Sequence, residues 1–258
     1  NIASWMNWLI KVVNDVTLEG GRVDFADYAM YAYGSITNKG MMGIDAVPEN
    51  AEFRTRKDEN ATVEHRIIQT EEGAEFGNFS LHTDEDIIEF TSDVEINRLE
   101  FNSGRFDLKE HNLKVDDLVL SMSSNDADFN DCNGCNSPAD MIITDGKASD
   151  GGLSLYIDGN ETYTFPVGNG TDATDAAYNN SKYTPAEVSV SNFNDDGYIT
   201  IIPVDHAQWS MIGDTTDVLQ HYWSVDYEGF SSLPDVQMDF HYHDLSESVD
   251  VDGNENNY

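Results

Sequence analysis

The sequence predicts an all-β protein made of two parts: a parallel β-helix or solenoid-like amino-terminal half, followed by an antiparallel β-sandwich. Three observations lead to this expectation. Helical periodicity is scarce, short alternating segments bounded by Gly, Asn and Asp recur, and two segments of the first half are similar to each other. The expected boundaries are 1–148 for the solenoid-like domain, 149–245 for the sandwich and 246–258 for an acidic tail or linker.

The alternating segments are the basis of the all-β prediction. Clear examples are residues 16–18, 23–25, 113–115, 188–190 and 198–201. Apolar side chains alternate there with polar ones, which is typical of strands with one buried face. Two stretches, 52–70 and 205–217, lack a clear pattern, and we expect a long loop or a short helix in each.

The internal similarity is the basis of the solenoid prediction. Residues 21–36 align without a gap on residues 104–119, and apolar positions match apolar positions. Such repetition is typical of a solenoid, in which each coil buries its apolar side against its neighbour. The alternative is that both segments are ordinary hairpins of a sandwich.

The second half changes in character near residues 149–152. Longer alternating segments follow, and prolines punctuate them at Pro166, Pro185, Pro203 and Pro234. This pattern favours an antiparallel sandwich with its own core. The expected aromatic core anchors are Trp209, Tyr222, Trp223, Phe230 and Phe240.

The chain is strongly acidic, with 13 Lys and Arg against 49 Asp and Glu and a net charge of −36. This charge repels phosphate backbones and anionic lipid heads, so nucleic acid and membrane surfaces are not expected partners. Membrane insertion is not expected either, because no run of about 18 or more apolar residues occurs. A solvated acidic coat is the simplest explanation of the charge, and Ca²⁺ binding is the alternative.

Four segments carry a resemblance to known proteins. Residues 93–108 combine two strand-like runs with a turn at Gly104. The second half adds Thr-Phe-Pro-Val-Gly at 164–168, Lys-Tyr-Thr-Pro-Ala-Glu-Val at 182–188 and His-Tyr-Trp-Ser-Val at 221–225.

The first of these segments resembles the "tonic" coils of large surface proteins exported by the type IX route in Bacteroidetes-like bacteria. The other three resemble the sandwich that lies next to such coils. The resemblance covers residues 93–243 and implies architecture and a location at the cell surface, without implying an activity. These proteins usually carry a carboxyl-terminal sorting domain, so we expect either that it has been cleaved or that the chain is part of a longer polypeptide.

Two acidic segments are candidate Ca²⁺ sites because their oxygen-bearing side chains alternate. One comprises Asp126, Asp128, Asn130 and Asp131, and the other comprises Asp250, Asp252 and Asn254. The first does not have the spacing of an EF-hand. The alternatives are a flexible acidic loop for the first segment and a linker for the second.

The two cysteines, Cys132 and Cys135, lie in a Cys-Asn-Gly-Cys segment beside the first acidic cluster. We expect a disulfide, because the chain is expected to be exported and has no other thiol. A redox pair and half of a zinc site are the alternatives. His241 and His243 would share one face of a strand, but no third metal ligand can be assigned to them.

Enzyme motifs are scarce. No Gly-x-Ser-x-Gly elbow, phosphate-binding loop or dinucleotide fingerprint occurs. Asp116 and Asp117 are adjacent and would point to opposite faces of a strand, which disfavours their acting as an acid/base pair. Tyr28, Tyr31 and Tyr33 are candidate sugar-stacking residues, and core packing is the alternative.

The sequence therefore predicts a non-enzymatic, extracellular structural module of a bacterial cell-surface protein that assembles into a filament or fibre. The expected partners are copies of itself or adjacent modules of the same protein. The apolar segment with Trp5, Trp8, Leu9 and Ile10 is the candidate assembly element, through strand addition, and the alternative is that Trp5 and Leu9 fill a core groove in their own subunit. A glycan-binding adhesin is the alternative function, and a polysaccharide-degrading β-helix is less favoured.

Overall fold

The computed structural model describes residues 9–12, 14–23, 29–43, 53–56, 66–120, 141–169, 182–205 and 221–241. These residues form strands and turns without a helix, which confirms the all-β prediction. Accordingly, the described residues offer no helix that is long and apolar enough to cross a membrane.

Twenty strands make up the described structure. They are β1 (Leu9–Val12), β2 (Val16–Leu18), β3 (Arg22–Val23), β4 (Ala29–Ala32), β5 (Ile36–Asn38), β6 (Met41–Met42), β7 (Phe53–Arg56), β8 (Arg66–Thr70), β9 (Glu75–Phe90), β10 (Val94–Asp107), β11 (Leu113–Leu120), β12 (Met141–Thr144), β13 (Leu153–Ile157), β14 (Thr162–Phe165), β15 (Val167–Asn169), β16 (Lys182–Tyr183), β17 (Ala186–Ser191), β18 (Gly197–Val204), β19 (Tyr222–Glu228) and β20 (Asp235–Phe240).

Most of the parallel pairing falls into three ladders, which we call ladders A, B and C. Ladder A joins β1, β4, β7 and the middle parts of β9 and β10 to the end of β11. Ladder B joins β2, β5, β8, the ends of β9 and β10, β12 and β15. Ladder C joins β3, β6, the starts of β9, β10 and β11, and β13. From β1 to β13 the chain visits A, B and C in that order.

Apolar side chains stack along the core side of these ladders. In ladder B, Ile36 pairs with Ile68, and Ile68 pairs with Phe90. All three are at most 1% exposed. Phenylalanines connect the ladders through the core. Ring centroids are 5.2 Å apart for Phe76 of ladder C and Phe79 of ladder A, and 6.1 Å apart for Phe79 and Phe106 of ladder B. Because successive strand residues alternate in direction, one apolar residue in two is enough to fill the core.

Antiparallel strands follow the parallel ones. β13 pairs with β18 and β18 pairs with β19, which extends ladder C. β14, β17 and β20 form a separate three-stranded antiparallel sheet. Buried residues of both groups belong to the same core cluster as the ladder residues. Since β11 also pairs with β13, hydrogen-bonded pairing crosses the boundary expected between residues 148 and 149.

Two local expectations were wrong. The stretch 52–70 was expected to hold a loop or a helix, but it contains β7 and β8. In β8 the polar Arg66 and Thr70 are buried while Ile67 is 40% exposed, so the hydropathy does not show the alternation. Pro203 was expected to punctuate strands, but it lies within β18, opposite Trp223.

The two similar segments of the first half do not occupy stacked positions. Val23 pairs with Met42 in ladder C, whereas Phe106 pairs with Ile88 and Ile142 in ladder B. Along ladder B, the stretch of chain from Val16 to its partner Ile36 is much shorter than the stretch from Ile36 to its next partner, Ile68. Because the connections differ in length, the pairing has no fixed sequence period.

Candidate functional site

The connections from ladder B to ladder C lie beside one another and form a ridge of turns. We call this feature the B–C ridge; it comprises residues 19–21, 39–40, 71–74, 91–93, 108–112 and 145–152. Backbone hydrogen bonds tie the ridge to neighbouring strands: Met41 donates to the Gly21 carbonyl at 2.8 Å, and Leu113 donates to the Gly152 carbonyl at 3.0 Å. Each connection is therefore held in place by the next.

Close backbone contact along the ridge requires glycine. A Cβ placed on Gly151 would lie 1.5 Å from the carbonyl oxygen of His111, and one on Gly40 would lie 2.3 Å from that of Gly21. Any larger residue would push the connections apart. Gly151, in the stretch 149–152 where the sequence changes in character, therefore allows one connection of the ridge to pack closely against the next.

Buried polar side chains hold the start of the ridge. Asn38 is fully buried; its Nδ2 donates to the Glu75 carbonyl at 2.9 Å, and its Oδ1 accepts from the Gly40 amide at 3.1 Å. Thr70, which pairs with Asn38, donates its amide to Ser92 Oγ at 2.6 Å. Because buried polar groups must be paired, these bonds fix the turns against the core.

Asp107 and Lys109 form a partly buried ion pair in the middle of the ridge. Lys109 Nζ lies 2.7 Å from Asp107 Oδ2 and 3.7 Å from Asp145 Oδ1. Burial raises the pKa of Asp107, although the hydrogen bond and charge of Lys109 oppose that rise. Burial alone would lower the pKa of Lys109, but Asp107, Asp145 and Glu89 outweigh it and raise that pKa.

Two surface depressions adjoin the ridge, and His111 lines both. The first, of about 330 Å³, is also lined by Glu89, Lys109, Asp145 and Lys147. The second lies beside the turns at 71–74 and 91–93. Both are open, the first is mixed in charge and the second is acidic, so neither offers an enclosed pocket for an apolar ligand.

No group of three or more His, Cys, Asp or Glu suited to holding a metal ion occurs among the described residues. Several acidic side chains of the ridge instead lie within ion-pair distance of neighbouring cations. Lys39, for example, lies 3.0 Å from Glu19 and 3.6 Å from Glu71. The hydrogen bond and charge of Glu19, assisted by Glu71, raise the pKa of Lys39.

The outer face of ladder C carries two tyrosines directly opposite each other. The ring centroids of Tyr156 and Tyr198 are 5.1 Å apart. Tyr198 donates to Asp116 at 2.6 Å, and Tyr156 donates to Asp196, which raises the pKa of Tyr156 to about 12. Lys114 Nζ lies 3.9 Å from the centre of the Tyr198 ring. One face of that ring is therefore occupied.

β19 and β20 are edge strands in the described structure. There, β19 pairs with β18 alone and β20 pairs with β17 alone. Directly opposite residues of an antiparallel pair share a face, so the partners of buried residues identify the core side of each edge strand. These pairs are Ile201–Val225, Ile199–Tyr227 and Val190–Val236.

Part of the core side of both edge strands is exposed. Val225 is 39%, Tyr227 is 55% and Val236 is 43% exposed, and Leu233 between the strands is 52% exposed. We call these four residues the β19–β20 margin. At the other end of the two strands the Trp223 and Phe240 rings stack with centroids 4.8 Å apart. Exposed core-facing residues beside strand edges that have no second partner in the described part of the chain are typical of an interaction surface.

Most of the site residues expected from the sequence lie outside the described residues. These are Trp5, Trp8, Asp126, Asp128, Asn130, Asp131, Cys132, Cys135, Asp250, Asp252 and Asn254. The Ca²⁺ sites and the disulfide therefore stay predictions. Leu9 and Ile10 belong to β1, where their backbones pair with Ala29 and Met30.

Other candidates can be placed. Asp116 accepts from Tyr198, whereas Asp117 lies 3.2 Å from Arg98, so the two adjacent acids have different partners. His241 lies 3.8 Å from Glu187, and His243 is outside the described residues. Tyr31 and Tyr33 are half-buried.

The sequence analysis missed the Asp107–Lys109 pair and the β19–β20 margin. For the first, the sequence shows only a lysine two residues after Asp107, because Asp107 itself takes a polar position in the alternating run that ends at Leu108. No signal marked the margin, since Val225 and Tyr227 alternate with polar residues as buried ones do. Comparisons of the chain with protein-family models, curated proteins and solved structures gave no match.

Proposed function

We propose that this chain is a non-enzymatic structural module of an extracellular bacterial surface protein and that it assembles with copies of itself or with adjacent modules. The observation that carries the proposal is the β19–β20 margin. Strand edges with unpaired backbone groups readily accept another strand, and exposed apolar side chains gain free energy when a partner covers them.

The proposal assigns the parallel part, within residues 1–148, to a β-solenoid and residues 149–245 to a β-sandwich. The fixed order in which the chain visits ladders A, B and C supports the first assignment, because each pass buries its apolar side against the next. The two antiparallel groups, which share one core cluster, support the second. Solenoids and sandwiches are common architectures for rigid extended surface structures.

An extracellular location is supported by the net charge of −36 and by the resemblance of residues 93–243 to type IX-exported surface proteins. Antibodies raised against the purified chain test this directly. They should label intact cells of the source organism as strongly as permeabilised cells. Labelling that requires permeabilisation would contradict the proposed location.

Glycan binding is the second candidate function, and the Tyr156–Tyr198 pair favours it. Aromatic rings on a sheet face stack on sugars, and the neighbouring Asp116 and Asp196 could accept bonds from hydroxyl groups. Lys114 over the Tyr198 ring counts against it. Binding on a glycan array that is lost in Tyr156→Ala would favour the adhesin.

A polysaccharide-degrading enzyme is the least favoured candidate. The depression beside Asp107 and Lys109 is the feature that would serve it, since catalytic carboxyls often have a raised pKa. Release of oligosaccharides by the wild-type chain and its loss in Asp107→Asn would support this candidate.

A further inference from the structure

We propose that the outward side of ladder C binds a basic peptide segment of a partner protein, with an arginine side chain against the Tyr156 ring. This surface, which we call the tyrosine face, comprises Asp116, Tyr156, Asp158, Asp196, Tyr198 and Glu228. The inference goes beyond the proposed assembling function, because the partner that it identifies is opposite in charge to this chain.

The tyrosine face lies where β13 and β18 pair, with Tyr156 directly opposite Tyr198. The residues at alternate positions, Leu155, Ile157 and Ile199, are at most 4% exposed. Since successive side chains of a strand point to opposite faces, both tyrosines point away from the core. Both are half-buried, and the four acidic residues of the face are exposed. A partner can therefore reach the rings and the carboxylates from solvent.

The tyrosine face already holds one ammonium group. Lys114 Nζ lies 3.9 Å from the centre of the Tyr198 ring and 2.7 Å from Glu228 Oε1. The ring attracts this cation through its electron-rich face, and the carboxylate attracts it through its charge. This contact shows, within the molecule, the chemistry that we assign to the partner.

The half of the face around Tyr156 has the same components without the cation. The Tyr156 hydroxyl donates to Asp196, and Asp158 follows Tyr156 by two residues. Among the described residues, no Lys, Arg or His lies within ion-pair distance of Asp116, Asp158 or Asp196. An aromatic ring is thus surrounded by carboxylates that no cation of the described part of the chain neutralises.

The negative charge of these carboxylates acts on Tyr156 itself. The hydrogen bond to Asp196 raises the pKa of Tyr156 to about 12, and the charges of Asp196, Asp158 and Asp116 add to the rise. The field that disfavours a negative charge on this side chain favours a positive charge beside it. A cation placed against the ring would therefore be attracted by the ring and by the carboxylates together.

An arginine side chain fits this half of the face best. Its planar guanidinium stacks on an aromatic ring while its N–H groups donate to a carboxylate. A second copy of the chain is a poor occupant, because it brings 49 acidic residues against 13 basic ones. A neutral sugar would gain no attraction from the charge of the carboxylates, and Lys114 covers one of the two rings.

Fluorescence anisotropy with a labelled peptide of alternating arginine and glycine tests the inference. An ionic strength of about 0.15 M limits long-range attraction to so acidic a chain. Wild type should bind this peptide. The same peptide with citrulline in place of arginine should bind much more weakly, because citrulline keeps the shape of the side chain and lacks its charge.

Variants of the face separate this site from general attraction. Tyr156→Leu removes the ring without changing the charge and should raise the dissociation constant about threefold to fivefold. Tyr156→Phe keeps the ring and should stay within about twofold of wild type. Asp196→Asn should weaken binding more than Glu72→Gln, which removes the same charge from an exposed turn of the B–C ridge.

A further variant should strengthen binding. Lys114→Gln frees the Tyr198 ring and Glu228 for the peptide. The matched control is Lys147→Gln, which changes the charge equally at a residue of the B–C ridge that is 63% exposed. Lys114→Gln should bind more tightly than this control. Circular dichroism checks that each variant is folded, and the Lys114 comparison decides the test if Tyr156→Leu is not.

Equal binding of the arginine peptide by wild type and folded Tyr156→Leu would overturn the inference. So would equal binding by Lys114→Gln and Lys147→Gln, because both results would indicate general attraction to an acidic chain. Failure of wild type to bind the arginine peptide would also overturn it, including the case in which wild type binds only a neutral glucan oligosaccharide. Each of these results leaves the proposed assembling function standing, since peptide binding does not depend on contact between copies.

Discussion

Lys109 Nζ lies 2.7 Å from Oδ2 of Asp107, whose side chain is 2% exposed. The backbone of Lys109 has a φ of 54°, an uncommon value for a residue other than glycine. In this turn the Lys109 amide also donates to Asp107 Oδ1 at 3.2 Å. The turn thus brings a cation and an amide onto one buried carboxylate in the middle of the B–C ridge.

Removing that cation should destabilise the fold. In Lys109→Ala, Asp107 loses its nearest cation while staying buried, so we expect the free energy of unfolding to fall by about 2–3 kcal/mol. Lys147→Ala is the matched control, because Lys147 is 63% exposed and should change stability by less than about 0.5 kcal/mol. Urea unfolding measures both, and equal effects would contradict the role assigned to Lys109.

Asp107 should also make stability depend on pH. Burial raises its pKa above the ordinary value of 3.8, so folding favours the protonated carboxyl. That contribution is complete below pH 3.8 and is lost as pH rises through the raised folded-state pKa. Wild type should therefore lose stability relative to Asp107→Asn as the pH rises from 3.8 through that raised pKa. Urea unfolding at a series of pH values measures the difference in stability between the two proteins. If their stabilities changed with pH in the same way, the role assigned to Asp107 would be wrong.

Because the connections of the ridge stack closely, replacing one glycine by alanine should reduce stability strongly, whereas replacing another should change it little. Gly151→Ala would place a Cβ 1.5 Å from the His111 carbonyl oxygen, so we expect a loss of about 3 kcal/mol or more, or failure to fold. In Gly159→Ala the nearest atom is Tyr163 Oη at 4.0 Å, and stability should change by less than about 1 kcal/mol. If the two variants had comparable unfolding midpoints, the close backbone contact at Gly151 would not constrain the fold.

Ca²⁺ should stabilise the chain if the acidic segment with Asp126, Asp128 and Asn130 binds it. Binding to the folded state alone raises the melting temperature with Ca²⁺ concentration. Screening also helps so acidic a chain, so the control is Na⁺ at matched ionic strength. Asp128→Asn should reduce the rise in melting temperature that is specific to Ca²⁺. Equal stabilisation by Na⁺ would contradict a specific Ca²⁺ site.

The strand content was predictable from the sequence where one face is uniformly apolar. Residues 188–190 and 198–201 fall in β17 and β18, because their alternating apolar side chains fill the core. β8 escaped prediction because Arg66 and Thr70 are buried polar residues. Hydropathy records the chemistry of a side chain, whereas burial also depends on the hydrogen bonds that long-range packing provides.

The stacking order of the strands and the β19–β20 margin were harder to predict from the sequence. Val23 and Phe106 occupy similar local sequences but lie in different ladders, because connections of unequal length set the register. Tyr227 follows the alternation of a buried strand, yet it is 55% exposed. Its exposure follows from the place of β19 at the end of the sheet, which no local pattern records.

Electron microscopy of the purified full-length chain tests the central claim, that this is a self-assembling structural module, most directly. We predict unbranched filaments that lengthen as the protein concentration rises, since the β19–β20 margin of each copy offers an exposed apolar surface for contact with another copy. Isolated particles of the size of a single 28.8 kDa chain at every concentration would contradict it.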